Sequence, residues 1–313
     1  MNIVFFGNPH FASNALNSLI EKKYDINLVV TNPDKKMGRG LKYNSTELKK
    51  NAILNNLPIL EIDDFNESGI VDELKKNKPD LFIVVAYRIL PKHIYDIPRL
   101  YTINLHASLL PKYRGASPIQ YALLNGDKYT GLSTFVINDN IDTGDIIFQK
   151  KIKMNDKMNF NDLYNLLCDS SGEVLHNTIQ SIISEKKIVS QDNSVISKAP
   201  KIKKKDFVIN WNDSASNIHN KIRGLSYLGA YSFYKNKRVK FFNSYYINSQ
   251  LDQINLDKIG SFSFSDNKLY IKAKTGYVII YEIQIEGKKR TQINSMTNYD
   301  YFKNEKESNI FEN

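Results

Sequence analysis

The sequence predicts a chain of two domains, the first of the α/β class with a mostly parallel sheet and the second a small β-barrel. The first 150 residues alternate short β-rich apolar runs with amphipathic helical patterns, an order typical of parallel sheets covered by helices. Near Lys187 the composition becomes polar and basic, which indicates a linker. Beyond it, short β-rich runs are separated by turn residues, as in small barrels.

The strands predicted for the first domain follow each other in the order expected of a Rossmann-like, doubly wound sheet. They are Asn2–Phe6, Ile26–Thr31, Leu81–Ala86, Thr102–Leu105, Gly131–Val136 and Asp145–Lys150. Between the early strands lie segments such as PHFASNALNSLIEKK, whose apolar residues recur on one helical face. The last two strands flank the polar turn NDNIDTGD, so we expect a hairpin added to the sheet.

The second domain is predicted to open with a helix and to continue as an OB-like barrel. The helical pattern DSASNIHNKIRGL precedes the β-rich runs AYSFYKNKRVKFFNSYYI, GSFSFSDNKLYIKAK and GYVIIYEIQIEGK. We therefore predict an α/β domain at residues 1–187, a basic linker at 188–205 and the barrel at 206–313.

The composition is that of a soluble globular protein, with 313 residues, 42% hydrophobic and 24% charged. No apolar window approaches about 18 residues, so no membrane span is predicted. The N-terminal MNIVFFGNPHFA has no basic region before its apolar stretch and does not resemble a secretory signal. The single cysteine, Cys168, cannot form an internal disulfide, and we expect a buried, inert thiol. These features predict a cytoplasmic protein, which we expect to be monomeric.

The positive charge is concentrated in the C-terminal third of the chain. The net charge is +10; residues 201–313 carry 19 Lys/Arg against 11 Asp/Glu, and the first 200 residues carry 24 against 22. This asymmetry is consistent with a polyanionic partner. It is equally consistent with a Lys- and Asn-rich chain whose solvated faces have become basic.

The loop after the first predicted strand, FFGNPHFA, lies where a dinucleotide fingerprint would be found. It has one glycine, Gly7, where that fingerprint has three, and the chain lacks the G-x-x-x-x-G-K-[ST] phosphate loop. These absences argue against NAD and ATP. The cleft at the carboxyl ends of the strands remains the expected ligand site.

Polar residues interrupt the predicted strand in INLHAS. Asn104 and His106 are two residues apart, so on an extended segment their side chains share a face. The turn NIDTGD adds Asp142. An amide can donate to an oxyanion, an imidazole can transfer protons and a carboxylate can orient the imidazole, so the three could act on a carbonyl carbon with a nucleophile from a substrate.

The same residues could instead have purely structural roles. A histidine on an apolar strand is usually a hydrogen-bonded core residue, and an aspartate in such a turn usually caps it. We predict no metal site, because the other histidines are scattered along the chain. They are His10, His93, His176 and His219.

The segment NLHASLLPKYRGASPIQYALLNGD, followed by TGLSTFVINDNIDTGDI, resembles the 10-formyltetrahydrofolate-dependent formyltransferases. Their pattern is N-x-H-x-S-L-L-P, then R-G-x-x-P, then a D-T-G hairpin. The resemblance implies 10-formyltetrahydrofolate as formyl donor and Asn104, His106 and Asp142 as the catalytic trio. It also implies a folate site lined by four consecutive residues, with a cis bond before the last of them. These are Ser108, Leu109, Leu110 and Pro111.

Three further resemblances imply that the formyl acceptor is initiator methionyl-tRNA. The segment TNPDKKMGRGLKYNS is similar to the inserted loop by which family members acting on methionyl-tRNA read the acceptor end, and KIKKKDFVINW is similar to their domain junction. The segment NKIRGLSYLGAYSFYKNKRVKFFNS resembles the start of the family's barrel-like C-terminal domain, which the members that formylate a purine precursor lack. The implied tRNA contacts are Lys35, Lys36, Arg39, Lys42, Lys201 and Lys204.

Two alternatives and two departures accompany this resemblance. A nucleotide-sugar amine formyltransferase can also carry a small barrel, and an RNA-binding protein could keep an inactive scaffold, although the intact trio argues against the latter. The first loop has Asn8 and His10 where the family has F-x-G-T-P-[DE]-F-A. AYRILP is one residue shorter than the family's A-[FY]-G-x-I-L-P and lacks its glycine, beside the expected pterin pocket.

Overall fold

The computed structural model describes residues 1–37, 42–249, 254, 256–295, 302 and 310–312. The chain divides into two compact units, each assembled from several segments. The first unit comprises Met1–Ala116, Thr130–Ile152 and Asn165–Ala199. The second comprises Ser117–Tyr129, Lys153–Tyr164 and Pro200–Asn313. The predicted domain boundaries, which assumed continuous segments, remain a prediction.

A seven-stranded sheet forms the centre of the first unit. Its order is β5-β2-β1-β6-β7-β8-β9, and all the pairs from β5 to β7 are parallel, whereas β7 and β8 are antiparallel. The strands are β1 (Ile3–Gly7), β2 (Ile26–Thr31), β3 (Lys35–Met37), β4 (Lys42–Asn44), β5 (Ile59–Glu61), β6 (Leu81–Val85), β7 (Tyr101–His106), β8 (Tyr129–Val136) and β9 (Ile146–Lys153), with β3 and β4 forming a separate antiparallel pair. The predicted α/β class and the two strands added at the edge are confirmed.

The helices of the chain fall mostly between these strands. They are α1 (His10–Glu21), α2 (Glu47–Leu54), α3 (Ile70–Lys76), α4 (Lys92–Tyr95), α5 (Pro118–Leu124), α6 (Phe160–Ile183) and α7 (Ala215–Gly224). The predicted apolar face of α1 is buried. Among the described residues, every helix is too short or too polar to span a membrane.

Gly7 permits the close packing at the end of β1. A Cβ at this position would lie 2.4 Å from the Ala12 Cβ and 2.8 Å from the Val85 carbonyl oxygen. The glycine therefore lets β1 approach α1 and β6, and it brings their ends together at the carboxyl edge of the sheet. The prediction missed β5, because its three partly exposed residues are too short to show a periodic pattern.

The second unit is built around an antiparallel sheet with order β10-β11-β14-β13-β12, to which β15 adds beside β14. The strands are β10 (Ala230–Tyr234), β11 (Lys237–Ile247), β12 (Phe262–Ser265), β13 (Lys268–Lys272), β14 (Tyr277–Ile285) and β15 (Thr291–Gln292). Bridges from Phe233 to Glu312 and from Ser261 to Ile310 connect the two edges of the sheet, as in a small barrel. Trp211 is fully buried in its core.

Candidate active site

Strand β7 carries Asn104 and His106 to the carboxyl edge of the parallel sheet. Asn104 pairs with Val84 of β6 on one side and with Phe135 of β8 on the other. The side chains at alternate positions of a strand point to one face. Leu105, between them, is buried as a core residue. The strand thus presents an amide and an imidazole together where an α/β sheet opens its cleft.

One nitrogen of His106 is held by the backbone. Nε2 lies 2.9 Å from the carbonyl oxygen of Tyr113, and the ring is only 6% exposed. A carbonyl only accepts hydrogen bonds, so Nε2 carries a proton and donates it. In the neutral ring, Nδ1 is then the nitrogen with a free lone pair. Nδ1 is therefore the ring nitrogen that is available to accept a proton.

Asp142 faces that nitrogen from the turn between β8 and β9. Its Oδ2 is 3.7 Å from His106 Nδ1 and accepts a hydrogen bond of 2.7 Å from the Gly115 N–H. A separation of 3.7 Å is too long for a hydrogen bond but close enough for charge interaction. The Tyr113 carbonyl, and not the Asp142 carboxylate, fixes the tautomer of the ring. The carboxylate lies where it would stabilise a positive charge on the protonated ring.

A cavity of about 300 Å³ opens beside these groups within the first unit. Asn104 and Asp142 line it, and the Asn104 amide makes no side-chain hydrogen bond to a described residue. His106 is buried, is not among the lining residues, and lies 3.7 Å from the lining residue Asp142. The other lining residues come from β6, the loop after it, α4 and the segment after β8; they are Val84, Tyr87, Arg88, Ile89, Leu90, Pro91, Lys92, Tyr95, Phe135, Ile137, Asn138, Asp139, Asn140 and Ile141. Apolar walls with a few converging polar groups are typical of a small-molecule site.

Arg88 is a functional candidate that sequence reasoning did not select. Its Nη2 donates to the Ile62 carbonyl at 2.7 Å, Nη1 donates to the Asp63 carbonyl, and the guanidinium lies 4.3 Å from the ring centre of Phe65. Its Nε and the hydroxyl of Tyr87 are buried, and neither has a hydrogen-bond partner within the described structure. Burial raises the pKa of the Tyr87 hydroxyl, and the nearby Arg88 charge partly offsets the effect. The signal for Arg88 was its position in AYRILP, where the family pattern has a glycine.

The four predicted folate residues lie in the loop after β7, where Ser108, Leu110 and Pro111 are buried and Leu109 is half-buried. The bond between Leu110 and Pro111 is cis, as the resemblance implied. Ser108 donates from Oγ to the Lys112 carbonyl at 2.6 Å, and Ser133 Oγ donates to the Ser108 carbonyl at 2.6 Å. None of the four, Leu109 included, is among the residues that line the cavity. Their assignment to the folate site remains a prediction.

The predicted tRNA residues lie in both units. Lys35 and Lys36 are exposed on β3, where the Lys36 ammonium lies 5.4 Å from the ring centre of Tyr43. Lys201 and Lys204 are exposed before and at the start of a 3₁₀ helix at Lys204–Phe207. The other two predictions, Arg39 and the side chain of Lys42, lie outside the described residues.

Comparison with known proteins identifies the family of the chain. The formyl transferase profile matches residues 1–179, and the formyl transferase C-terminal domain profile matches residues 201–300. The methionyl-tRNA formyltransferase of Thermodesulfovibrio yellowstonii is 41% identical over 289 residues, 92% of each chain, and that of Flavobacterium johnsoniae is 36% identical over 97% of this chain and 98% of its own. A crystal structure of a sugar 3N-formyl transferase with dTDP and 5-N-formyl-THF gives a TM-score of 0.66 at 25% identity, covering 92% of this chain and 99% of the other. The chain therefore belongs to the formyl transferase family.

Proposed function

We propose that the chain transfers the formyl group of 10-formyltetrahydrofolate to the amino group of methionine on initiator methionyl-tRNA, giving N-formylmethionyl-tRNA for translation initiation. The observation that carries the proposal is a single cavity lined by Asn104 and Asp142, with His106 Nδ1 3.7 Å from the carboxylate. Two relatives named methionyl-tRNA formyltransferase, at 41% and 36% identity, support this acceptor.

Asn104 stabilises the charge that develops on the formyl oxygen. The neutral amine of the aminoacyl group attacks the formyl carbon, and the carbonyl oxygen becomes an oxyanion as the new C–N bond forms. The Asn104 side chain lines the cavity, and its amide N–H groups make no hydrogen bond to the described residues. The amide can therefore donate to that oxygen. One such donor contributes on the order of 3 kcal/mol to transition-state stabilisation.

His106 transfers the proton that the reaction releases. The attacking amine loses a proton to Nδ1, and the same proton goes to N10 of the folate as the bond from N10 to the formyl carbon breaks. The products are N-formylmethionyl-tRNA and tetrahydrofolate. Asp142, 3.7 Å from Nδ1, stabilises the ring while it carries the charge.

The cavity is the proposed site for the pterin end of the folate donor. Its apolar walls, formed by residues such as Leu90 and Ile137, suit a flat heteroaromatic ring, and Arg88 and Tyr87 offer buried polar groups. The predicted folate loop of Ser108–Pro111 supports this site from the end of β7 in our proposal. Neither NAD nor a resident metal enters the reaction.

The tRNA half of the proposal is based on exposed positive charge. Lys35 and Lys36 next to the predicted acceptor loop of Arg39, and Lys201 and Lys204 in the second unit, are suited to neutralise phosphates. The net positive charge of the C-terminal third adds a long-range attraction for the negatively charged tRNA.

The compartment and assembly are also part of this proposal. Cys168, buried at 2% exposure, is compatible with the reducing conditions of the cytoplasm. We propose that the chain acts there as a monomer, since the cavity and the trio lie within one unit of a single chain.

One alternative acceptor is favoured by a specific observation, the similarity in fold to the sugar 3N-formyl transferase. The discriminating experiment offers radiolabelled 10-formyltetrahydrofolate to the protein with methionyl-tRNA and a dTDP-amino sugar as competing acceptors. We expect the label on methionyl-tRNA alone. Label on the sugar nucleotide would contradict the proposed acceptor, and no transfer to either would contradict the activity.

A further inference from the structure

Residues 189–199, which we call the brace, make backbone hydrogen bonds to two segments that carry parts of the candidate active site. The brace lies within the predicted linker and belongs to the first unit. Val189 exchanges backbone hydrogen bonds of 2.7 and 2.9 Å with Ile146, just after the Asp142 turn. At its other end, Arg114 donates to Ser197 at 3.0 Å, and Ala199 donates to Arg114 at 2.7 Å. The brace thus connects the turn that carries Asp142 to the loop that follows His106.

Gln191 is the brace residue that reaches the Asp142 turn. Its Nε2 donates to the backbone carbonyls of Asp142 and Gly144 at 2.9 and 2.8 Å, and the residue is 8% exposed. Its Oε1 accepts from Nε and Nη2 of Arg114 at 3.0 and 2.7 Å. Arginine can only donate and carbonyls can only accept, so this orientation of the amide is the only one that satisfies all four contacts.

The turn that Gln191 holds has an uncommon backbone. Asp142 has a φ of 54°, a left-handed conformation that is uncommon for a residue with a side chain. Gly144 packs so tightly that a Cβ would lie 1.6 Å from the Val136 carbonyl oxygen. Hydrogen bonds from outside the turn, which Gln191 donates to the Asp142 carbonyl and the Gly115 N–H donates to the carboxylate, help to hold this conformation.

Three consecutive residues, Tyr113, Arg114 and Gly115, each hold one part of the arrangement. The carbonyl of Tyr113 accepts from His106, Arg114 orients Gln191, and the Gly115 N–H donates to the Asp142 carboxylate. Gly115 has a φ of 126°, and a Cβ there would lie 2.6 Å from the carbonyl oxygen of Ala199 in the brace. The loop, the brace and the turn therefore form one connected hydrogen-bonded unit.

We propose that Gln191, oriented by Arg114, is a positioning residue for formyl transfer. It fixes the backbone of Asp142 and so keeps its carboxylate at 3.7 Å from His106 Nδ1. Gln191 is not among the residues that line the cavity, so its effect passes through Asp142. This inference rests on the proposed role of Asp142 in catalysis.

The test combines Gln191→Met, which keeps the length and removes the donor, with Asp142→Ala in a double-mutant cycle. We expect Gln191→Met to lower kcat about ten- to a hundredfold with both KM values unchanged, as for a small misplacement of a catalytic group. In the Asp142→Ala background the same change should have no further effect on kcat. The matched control is Gln180→Met, an exposed glutamine of the same unit, which we expect to leave kcat unchanged.

A second variant separates positioning from general loss of structure. Gln191→Glu keeps an acceptor for Arg114 but cannot donate to the two carbonyls, so it should lose as much kcat as Gln191→Met while its melting temperature stays close to that of the parent. An unchanged kcat in Gln191→Glu would overturn the proposal, as would an undiminished effect of Gln191→Met in the Asp142→Ala background. Near-parental turnover of Asp142→Ala alone would instead contradict the proposed function, so the two failures are distinguishable.

Discussion

Each of the two units buries a histidine against a backbone carbonyl, and the second nitrogen of the ring distinguishes them. In the first unit, His106 donates from Nε2 to the Tyr113 carbonyl, and its Nδ1 faces the Asp142 carboxylate at 3.7 Å. In the second unit, His219 Nε2 lies 2.8 Å from the carbonyl of Asp156, and its Nδ1 lies 2.9 Å from the Ser244 hydroxyl. Both ring nitrogens of His219 therefore have a hydrogen-bond partner, whereas Nδ1 of His106 makes no hydrogen bond to the residues that the structure describes.

This difference shows that burial and a carbonyl partner do not by themselves indicate the role of a histidine. Burial lowers the pKa of His219 to about 4, so its ring stays neutral at physiological pH and serves as a fixed connector between α7 and neighbouring segments. His106 lies next to the Asp142 carboxylate, which lines the cavity. A residue that transfers protons needs access to a substrate, and a nearby carboxylate stabilises its charged form. The environment of the second nitrogen thus separates the structural histidine from the one that we propose to be catalytic.

The largest expected effect comes from replacing each histidine with alanine. His106→Ala should lower kcat by about a hundredfold or more, since it removes the proposed proton carrier, in addition to the stability that is lost with its hydrogen bond to the Tyr113 carbonyl. His219→Ala should instead lower the free energy of unfolding by about 1–3 kcal/mol, because Asp156 and Ser244 lose a buried partner. Formyl-transfer kinetics and thermal melting of both variants test the comparison. It fails if His219→Ala, still folded, loses kcat or if His106→Ala retains it.

The sequence and its resemblance could select most of the elements and the three residues that the structure brings together, but not this distinction. The spacing of Asn104 and His106 put them on one face, and resemblance added Asp142. The distance from His106 to Tyr113 depends on the conformation of the loop after β7, and the contacts of Gln191 with the Asp142 turn depend on how segments 49 residues apart pack; no periodic pattern encodes either. Arg88 showed only as a departure from the family pattern, because a lining residue needs tertiary structure to be seen.

The second prediction concerns the acid dependence of stability. The folded chain keeps His219 neutral down to about pH 4, whereas an unfolded chain protonates it near the ordinary value of 6.5. The unfolded state therefore binds more protons between these values, and stability falls as the pH falls through this window. The shift in pKa corresponds to about 3 kcal/mol of stability. This stability is fully present above pH 6.5 and has been lost by about pH 4.

His219→Gln removes this titration and keeps polar atoms for the two partners. The difference in free energy of unfolding between the parent and this variant should therefore shrink as urea titrations move from pH 7 to pH 4. His176→Gln, whose parent ring contacts Tyr24 in the first unit, is the matched control. A constant difference across the range would contradict a neutral His219.

A third prediction extends the comparison to two arginines. Arg223 of the second unit is 4% exposed and donates to the Asn155 carbonyl at 3.0 Å, to the Met158 carbonyl at 3.2 Å and to Asn220 Oδ1 at 2.8 Å. Arg88 lines the cavity with its buried Nε unpaired in the described structure. We expect Arg88→Met to raise the KM for the folate donor about tenfold, because a ligand loses a buried polar partner. Arg223→Met should lower stability and leave that KM unchanged. An unaltered folate KM in Arg88→Met would remove Arg88 from the proposed pocket.

The smallest expected effects come from the exposed lysines of the two units. Phosphate contacts act additively and weaken with salt, so removing a contact should lower the slope of log affinity against log salt concentration by roughly 1 per lysine. We expect Lys35→Ala with Lys36→Ala, and Lys201→Ala with Lys204→Ala, each to raise the KM for methionyl-tRNA several-fold at low salt and to leave the folate KM unchanged. Lys75→Ala with Lys78→Ala is the control, because these residues are outside the predicted tRNA contacts. If one pair behaves like this control, the tRNA phosphates are bound by the other unit, and the positive charge of the first pair reflects only a solvated surface.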